Sequence, residues 1–198
     1  MNRTQVAPGG SGSGGRAAAA IRPVCPADMT ALSDFFAALS VESRYLRFFA
    51  PVRPSHDLLD LLAGRPAHVD AIVAVADGVI VGHAMAADRP RPPDPCAGWA
   101  TDVGVVVADA WQRRGVGAAL MRALTARAQA RGVTALAMDV LPGNRRVLAM
   151  IIGHWPEAAV VHSPDSLDIR IPLPPARPQP QPLRPAREYL RPLVPVGG

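Results

Sequence analysis

The sequence predicts an α/β (α+β) fold: a mixed, mostly antiparallel sheet with a central parallel strand pair, flanked by helices. Three observations carry this. Two β-branched runs, Val69 to Val75 and Val79 to Ala86, flank Asp77-Gly78, the commonest short signal for an antiparallel hairpin. A valine strand ending at Val107 is followed by a helix on which Leu120, Leu124 and Ala128 recur at helical spacing, and then by the apolar run Val133 to Leu141. A helical crossover returns the chain parallel to the strand it left. Finally, Ala158 to His162 and Leu167 to Leu173 are joined by Ser163-Pro-Asp-Ser166, which closes the sheet with a second hairpin.

The remaining elements follow from local chemistry. Residues 1–16 are Gly/Ser-rich and read as a disordered leader. Ala17 to Val24 reads as the first strand. Pro26-Ala-Asp-Met29 opens a helix whose apolar face is Leu32, Phe35, Phe36 and Leu39. Ser40 is a capping residue for a second short helix through Phe49, and Ser55 to Ala63 forms a third, stopped by Gly64 and Pro66. Residues 87–98 carry five prolines or glycines and read as a loop before the fourth strand, Trp99 to Val107. Gly132 is placed to end the long helix, and Asn144 to His154 forms a last helix after the Pro142-Gly143 turn. The folded domain therefore spans 17–173. Residues 174–198 are Pro/Arg/Gln-rich and read as an extended or disordered tail, which could dock a partner.

Composition narrows the function classes. The 198 residues suit one domain with tails, and 49% hydrophobic residues supply a core. Net charge is +5 and every basic residue is arginine. Much of that excess sits in the tail, and no basic stripe with interleaved aromatics suggests nucleic acid. Cys25 and Cys96 are too few for a disulfide scaffold or a zinc site, and no metal is expected. No run is long enough to span a bilayer and no hydrophobic signal core is present, so the expected location is cytoplasmic.

The chemistry concentrates where the fourth strand meets the long helix. Residues Gln112-Arg-Arg-Gly-Val-Gly-Ala118 contain two glycines, two arginines and no proline. The first amides of a helix lack partners and carry partial positive charge, so such a turn is an anion site. Gly115 and Gly117 permit close approach of a phosphate, and Arg113 and Arg114 add charge. An ATP-binding P-loop is excluded because no Lys-Ser/Thr pair follows. Residues 115–120, Gly-Val-Gly-Ala-Ala-Leu, lack the third glycine of a dinucleotide fingerprint. A two-glycine turn alone could also do no more than connect strand to helix.

Gln112-Arg-Arg-Gly-Val-Gly-Ala118 after a valine strand resembles the acetyl-CoA motif of the GNAT superfamily of N-acetyltransferases, Q/R-x-x-G-x-G/A, over roughly Ala19 to Leu173. Ser40 to Phe49 is more weakly similar to a segment of GNAT domains related to bacterial protein-lysine acetyltransferases. The resemblance implies that the fourth and fifth strands splay. Acetyl-CoA then inserts between them as co-substrate, its pantetheine arm pairing with Val105, Val106 and Val107. The diphosphate is expected on Gln112, Arg113, Arg114, Gly115, Val116, Gly117 and Ala118. Asn144 takes the place of an asparagine that holds the CoA arm, and it is also a good helix cap. Arg145 and Arg146 either reach the phosphates or are solvated.

A proton acceptor is needed because an exposed amine is mostly charged at neutral pH. The family's strand-four glutamate matches Asp102, one methylene shorter, so a bridging water is expected; the alternative is an ordinary strand-edge aspartate. Carbonyl polarisation is expected from a main-chain N–H at Val105 or Val106, at a bulge in that strand. Many family members carry a tyrosine seven residues past the asparagine as the thiolate's acid. Here that position is Ile151, and His154 is only a distant substitute. Tyr45, Phe48 and Phe49 either contact substrate or pack on the sheet, and His83 reads as a core residue. The expected activity is direct transfer of an acyl group from acetyl-CoA to a primary amine, on a small molecule or a protein lysine. The alternative is a non-catalytic acyl-CoA-binding sensor or partner module. A homodimer stays open.

Overall fold

The computed structural model describes residues 19–90 and 98–174. The expected leader, most of the proline-rich loop, Cys96 and nearly all of the tail lie outside the described residues.

Seven strands form one sheet in the order β1-β2-β3-β4-β5-β7-β6. They are β1 (Ala20–Pro23), β2 (Val69–Ala76), β3 (Val79–Asp88), β4 (Ala100–Val107), β5 (Ala135–Val140), β6 (Ala159–His162) and β7 (Leu167–Pro172). Only β4 and β5 run parallel, as the helical crossover requires. β3 outlasts its expected end by two residues. Asp88 pairs with Thr101 across the sheet, and its carboxylate takes the Arg131 guanidinium, so the ladder continues into the expected loop.

The β2–β3 hairpin turns on Asp77 (φ 50°) and Gly78 (φ 78°), both in the left-handed region that a two-residue turn of this hand demands. The strand bulge expected near Val105 lies elsewhere. β3 and β4 keep unbroken register, and the register shift falls between Ala74 and Val75 of β2.

Five helices cover the sheet: α1 (Met29–Ala38), α2 (Val41–Phe48), α3 (His56–Leu62), α4 (Val116–Ala130) and α5 (Arg145–His154). On one face, Leu32, Phe35, Phe36 and Leu39 of the α1 region, with Leu62 of α3, pack on Val73, Met85 and Val106. On the other, Val116, Leu120 and Leu124 of α4 pack on Ile72, Ala74, Ala84 and Ala86. The small side chains of β2 and β3 let α4 approach closely: a Cβ on Gly82 would lie 2.9 Å from Leu120 Cδ1. Met121 and Ala128 of α4 share a third cluster with Ile151 of α5 and with Leu136, Met138, Ile169 and Ile171. α4 ends as expected, with Gly132 at φ 86° and Val133 N–H donating to Ala128 O at 3.1 Å.

Candidate active site

β4 is closed at one end and open at the other. It pairs with β5 only at Ala100, Thr101 and Asp102. Trp99 O accepts from Thr134 and Ala135 on the β5 side, whereas Ala108 N donates to Val81 O on the β3 side. Alternation between these points turns the main-chain groups of Val103, Val105 and Val107 toward the side that β5 has left. The main chain of Val106 faces β3, and its side chain is core. Of the two main-chain donors expected to polarise a carbonyl, only the Val105 amide faces the opening.

Two adjoining cavities occupy that opening. The larger, about 290 Å³, runs between Val105–Val107, the turn at Gln112–Ala118, and Asn144, Val147 and Met150 of α5. The smaller, about 60 Å³, lies in the splay, with Val103–Val105 on one wall and Met138, Asp139 and Val140 on the other. Leu46 and Arg47 of α2 roof both.

At the far end of the larger cavity the chain presents donors. Arg113 adopts φ 59° and Gly115, the N-cap of α4, φ 81°. Among the described residues, no main-chain carbonyl accepts from the amides of Arg113 through Ala118, and the first turn bond is Ala119 N to Gly115 O at 3.0 Å. Six adjacent donors at a helix start suit a diphosphate. A Cβ at Gly117 would touch Val107 Cγ2 at 3.7 Å and Met150 Sδ at 3.8 Å, so glycine keeps the passage between strand and α5 wide.

Gln112 straps this end together. Its Nε2 donates to Ser43 Oγ at 3.1 Å and to Val107 O at 3.3 Å, and its Oε1 accepts from Arg146 Nη1 at 3.0 Å. Arg146 is thereby held on the cavity wall. Asp109 ties α2 to the same turn, accepting from Ser40 N–H (3.0 Å), Ser40 Oγ (2.7 Å) and Ser43 Oγ (2.7 Å). Burial alone would raise the Asp109 pKa; these hydrogen bonds outweigh it and hold the carboxyl below its ordinary value. Asn144 caps α5 through Val147 N–H at 3.3 Å and lines both cavities.

Not every expected site residue reaches the cavities. Val105, Val106, Val107, Gln112, Arg113, Gly115, Gly117, Ala118 and Asn144 line the larger one. Arg114 instead lies over the Trp111 ring at 5.0 Å, and Val116 is buried against the sheet. Asp102 lines neither. It sits where the β4–β5 ladder is still closed, opposite Ala137, and both carboxylate oxygens accept from Arg89, as close as 2.6 Å. That hydrogen bond and charge raise the Arg89 pKa.

Ile151, at the position of the missing tyrosine, is fully buried in the core. His154 is exposed, its Nδ1 2.9 Å from Met150 O. His83 is core, as expected: it is fully buried, its Nε2 lies 2.8 Å from Leu62 O, and burial, with Arg47 nearby, pushes it down to about 3. Phe48 packs on the α1 cluster, while Tyr45 is exposed.

Sequence reasoning passed over Ser43, Leu46, Arg47, Asp109 and Asp139. One signal was present. Gly104 interrupts a valine strand, and a strand glycine marks close approach by another group. The Arg47 guanidinium lies there: a Cβ on Gly104 would be 2.4 Å from its Cζ.

The domain is thus a mixed α/β sheet splayed at one parallel pair, with a helix start facing the gap. The family model described as the acetyltransferase (GNAT) family matches residues 35–151, more than half of the chain, and the protein belongs to that family. Among solved structures, the GNAT domain of S. lividans PAT superposes with a TM-score of 0.70 at 25% identity, covering 78% of this chain and 90% of that one. A GCN5-related N-acetyltransferase from Kribbella flavida gives 0.62 at 24% identity, covering 79% and 98%. A phosphinothricin acetyltransferase from Sinorhizobium meliloti, in complex with AcCoA, gives 0.62 at 17% identity, covering 79% and 89%. None of the curated proteins matches the chain. Among the described residues, no helix is long and apolar enough to cross a membrane.

Proposed function

We propose that the protein transfers an acetyl group from acetyl-CoA to a primary amine, directly, with both reactants bound in the cleft. One observation carries this reading: the amides of Arg113 to Ala118 have no main-chain partner among the described residues, and four of these residues, Arg113, Gly115, Gly117 and Ala118, line a cleft whose other wall is the edge of β4 that β5 has left. A diphosphate on those amides directs the rest of an elongated thioester along Val107 and Val105, where the outward N–H groups and the Val105 C=O match its amides. Acetyl-CoA complexes among the solved relatives support the same choice of donor.

When bound, the coenzyme supplies the acyl group as a thioester. The Val105 N–H is oriented to hydrogen-bond its carbonyl oxygen as charge develops there. The amine nitrogen forms a bond to the carbonyl carbon while the C–S bond breaks. The amine's proton passes to a carboxylate, directly or through water. Asp139 lines the splay and is the better-placed base by geometry. Asp102, the choice from sequence, must first release Arg89. The departing thiolate takes its proton from water, since Ile151 has none to give. Holding both reactants against one rigid strand supplies much of the acceleration.

The acceptor amine, small molecule or protein lysine, enters over β5 and β7, on the sheet face where, among the described residues, α1–α3 pack on β2, β3 and β4 instead. The folded domain is proposed to span 17–173. The test measures CoA binding by calorimetry alongside acceptor-dependent thiol release over a panel of amines. Tight binding with release establishes the transferase. Tight binding with no release from any amine supports instead a sensor or partner module, a reading that the missing tyrosine favours.

A further inference from the structure

Arg47 is a cation without a counter-charge, placed in the reactive end of the cleft. It projects from the last turn of α2, and its guanidinium lies flat on Gly104. It lines both cavities. Its Nε is buried and has no hydrogen-bond partner among the described residues, and no carboxylate there lies within 4.0 Å of it. Its one ring contact is with Phe48, 5.1 Å from the centroid. Burial pushes the guanidinium down to about 10, which leaves it cationic at neutral pH.

Its neighbour on the helix shows what a structural arginine looks like here. Arg44, one turn earlier, also has a buried Nε without a partner, but it spends its Nη1 on the carbonyls of Leu39 and Ala37 and so caps the end of α1. Arg47 caps nothing. A sheltered, unpaired cation is costly, and an anionic ligand removes that cost. The diphosphate is not that ligand, because its six amides and Arg113 lie along the β4–α4 turn, whereas Arg47 sits at Gly104, where β4 and β5 part. Asp139 faces the same small cavity, more than 4.0 Å from Arg47, and offers a place for an ammonium.

We propose that Arg47 binds a carboxylate carried by one of the two reactants, and so selects an anionic substrate. This rests on the transferase reading of the cleft. The planar guanidinium suits a carboxylate, which it can hold by two parallel hydrogen bonds. The carboxylate has two sources: an amino-acid acceptor, or the far end of a dicarboxylic acyl group such as malonyl or succinyl.

The experiment compares matched pairs. One pair is lysine against cadaverine with acetyl-CoA; the other is succinyl-CoA against butyryl-CoA with one acceptor. In the wild-type protein, the carboxylate member of one pair is favoured at least about tenfold in kcat/KM, and that pair names the source. Arg47→Met removes the preference, lowering the carboxylate member at least about tenfold more than its neutral partner. Gly104→Ala, which displaces the guanidinium and keeps its charge, acts in the same direction, and circular dichroism shows that both variants fold. Equal kcat/KM in both wild-type pairs overturns the proposal, and so does an equal loss across all four substrates in Arg47→Met. Calorimetry of succinyl-CoA against butyryl-CoA, and of lysine against cadaverine on the CoA-loaded protein, needs no turnover. A protein that binds CoA but releases no thiol therefore sinks the transferase reading, while the Arg47 proposal is judged on these binding ratios, equal values overturning it.

Discussion

The two ends of the cleft are built in opposite ways. The proposed donor end is one contiguous stretch, Arg113 to Ala118, which offers main-chain amides. The proposed acceptor end is assembled from α2, β4 and β5, and offers three charges: Arg47, Asp139 and, behind Arg89, Asp102. A main-chain site tolerates many neighbours as long as bulky side chains stay out of its passage. A side-chain site is the reverse, since each group can be exchanged singly and the specificity moves with it.

That contrast can be broken first at the donor end. Gly117→Val puts branched carbons between Val107 and Met150. CoA affinity measured by calorimetry is expected to fall about 100-fold or more, near 2.7 kcal/mol, with the thermal midpoint little changed. An affinity within threefold of wild type would place the diphosphate elsewhere. At the acceptor end the two carboxylates are to be separated. Asp139→Asn is expected to lower amine-dependent thiol release about 100-fold with CoA affinity intact, and Asp102→Asn less than about fivefold. If the larger loss follows Asp102→Asn, the base is the strand-four carboxylate and Arg89 moves aside in the loaded enzyme.

The effect most remote from the chemistry concerns the core beneath Arg47. His83 is neutral when folded, with its pKa held near 3, and takes a proton at about 6.5 when unfolded. Between those values the unfolded chain binds the extra proton. Stability therefore falls as pH drops from about 6.5 toward 3, by up to about 1.4 kcal/mol per pH unit from this residue. Urea melts at pH 6.5, 5.5 and 4.5 should show the slope, and His83→Gln should flatten it. An unchanged slope in the variant assigns the pH dependence to other groups.

The same contrast explains what could be read from the residues alone. Strand and helix order, the Asp77-Gly78 hairpin, the Leu120/Leu124 face and the glycine turn that opens α4 are all local patterns, and the structure reproduces them. Arg47 and Asp139 stand 92 residues apart in the chain and meet only through the splay of β4 and β5, so no spacing rule joins them. Asp102 was placed by position along the strand, but its partner Arg89 comes from the segment after β3, which the sequence marked only as loop. The bulge moved to β2 because β3 and β4 pair without interruption, a property of two strands and not of one.

Asp109 leaves a last consequence. Three hydrogen bonds from Ser40 and Ser43 converge on it, and beside them the Gln112 amide donates to Ser43 Oγ and to Val107 O at the strand end. The roof that α2 lays over both cavities is thus riveted to the turn between β4 and α4. In the proposed transferase, that bracing makes selectivity a matter of fixed upholstery and not of closing jaws.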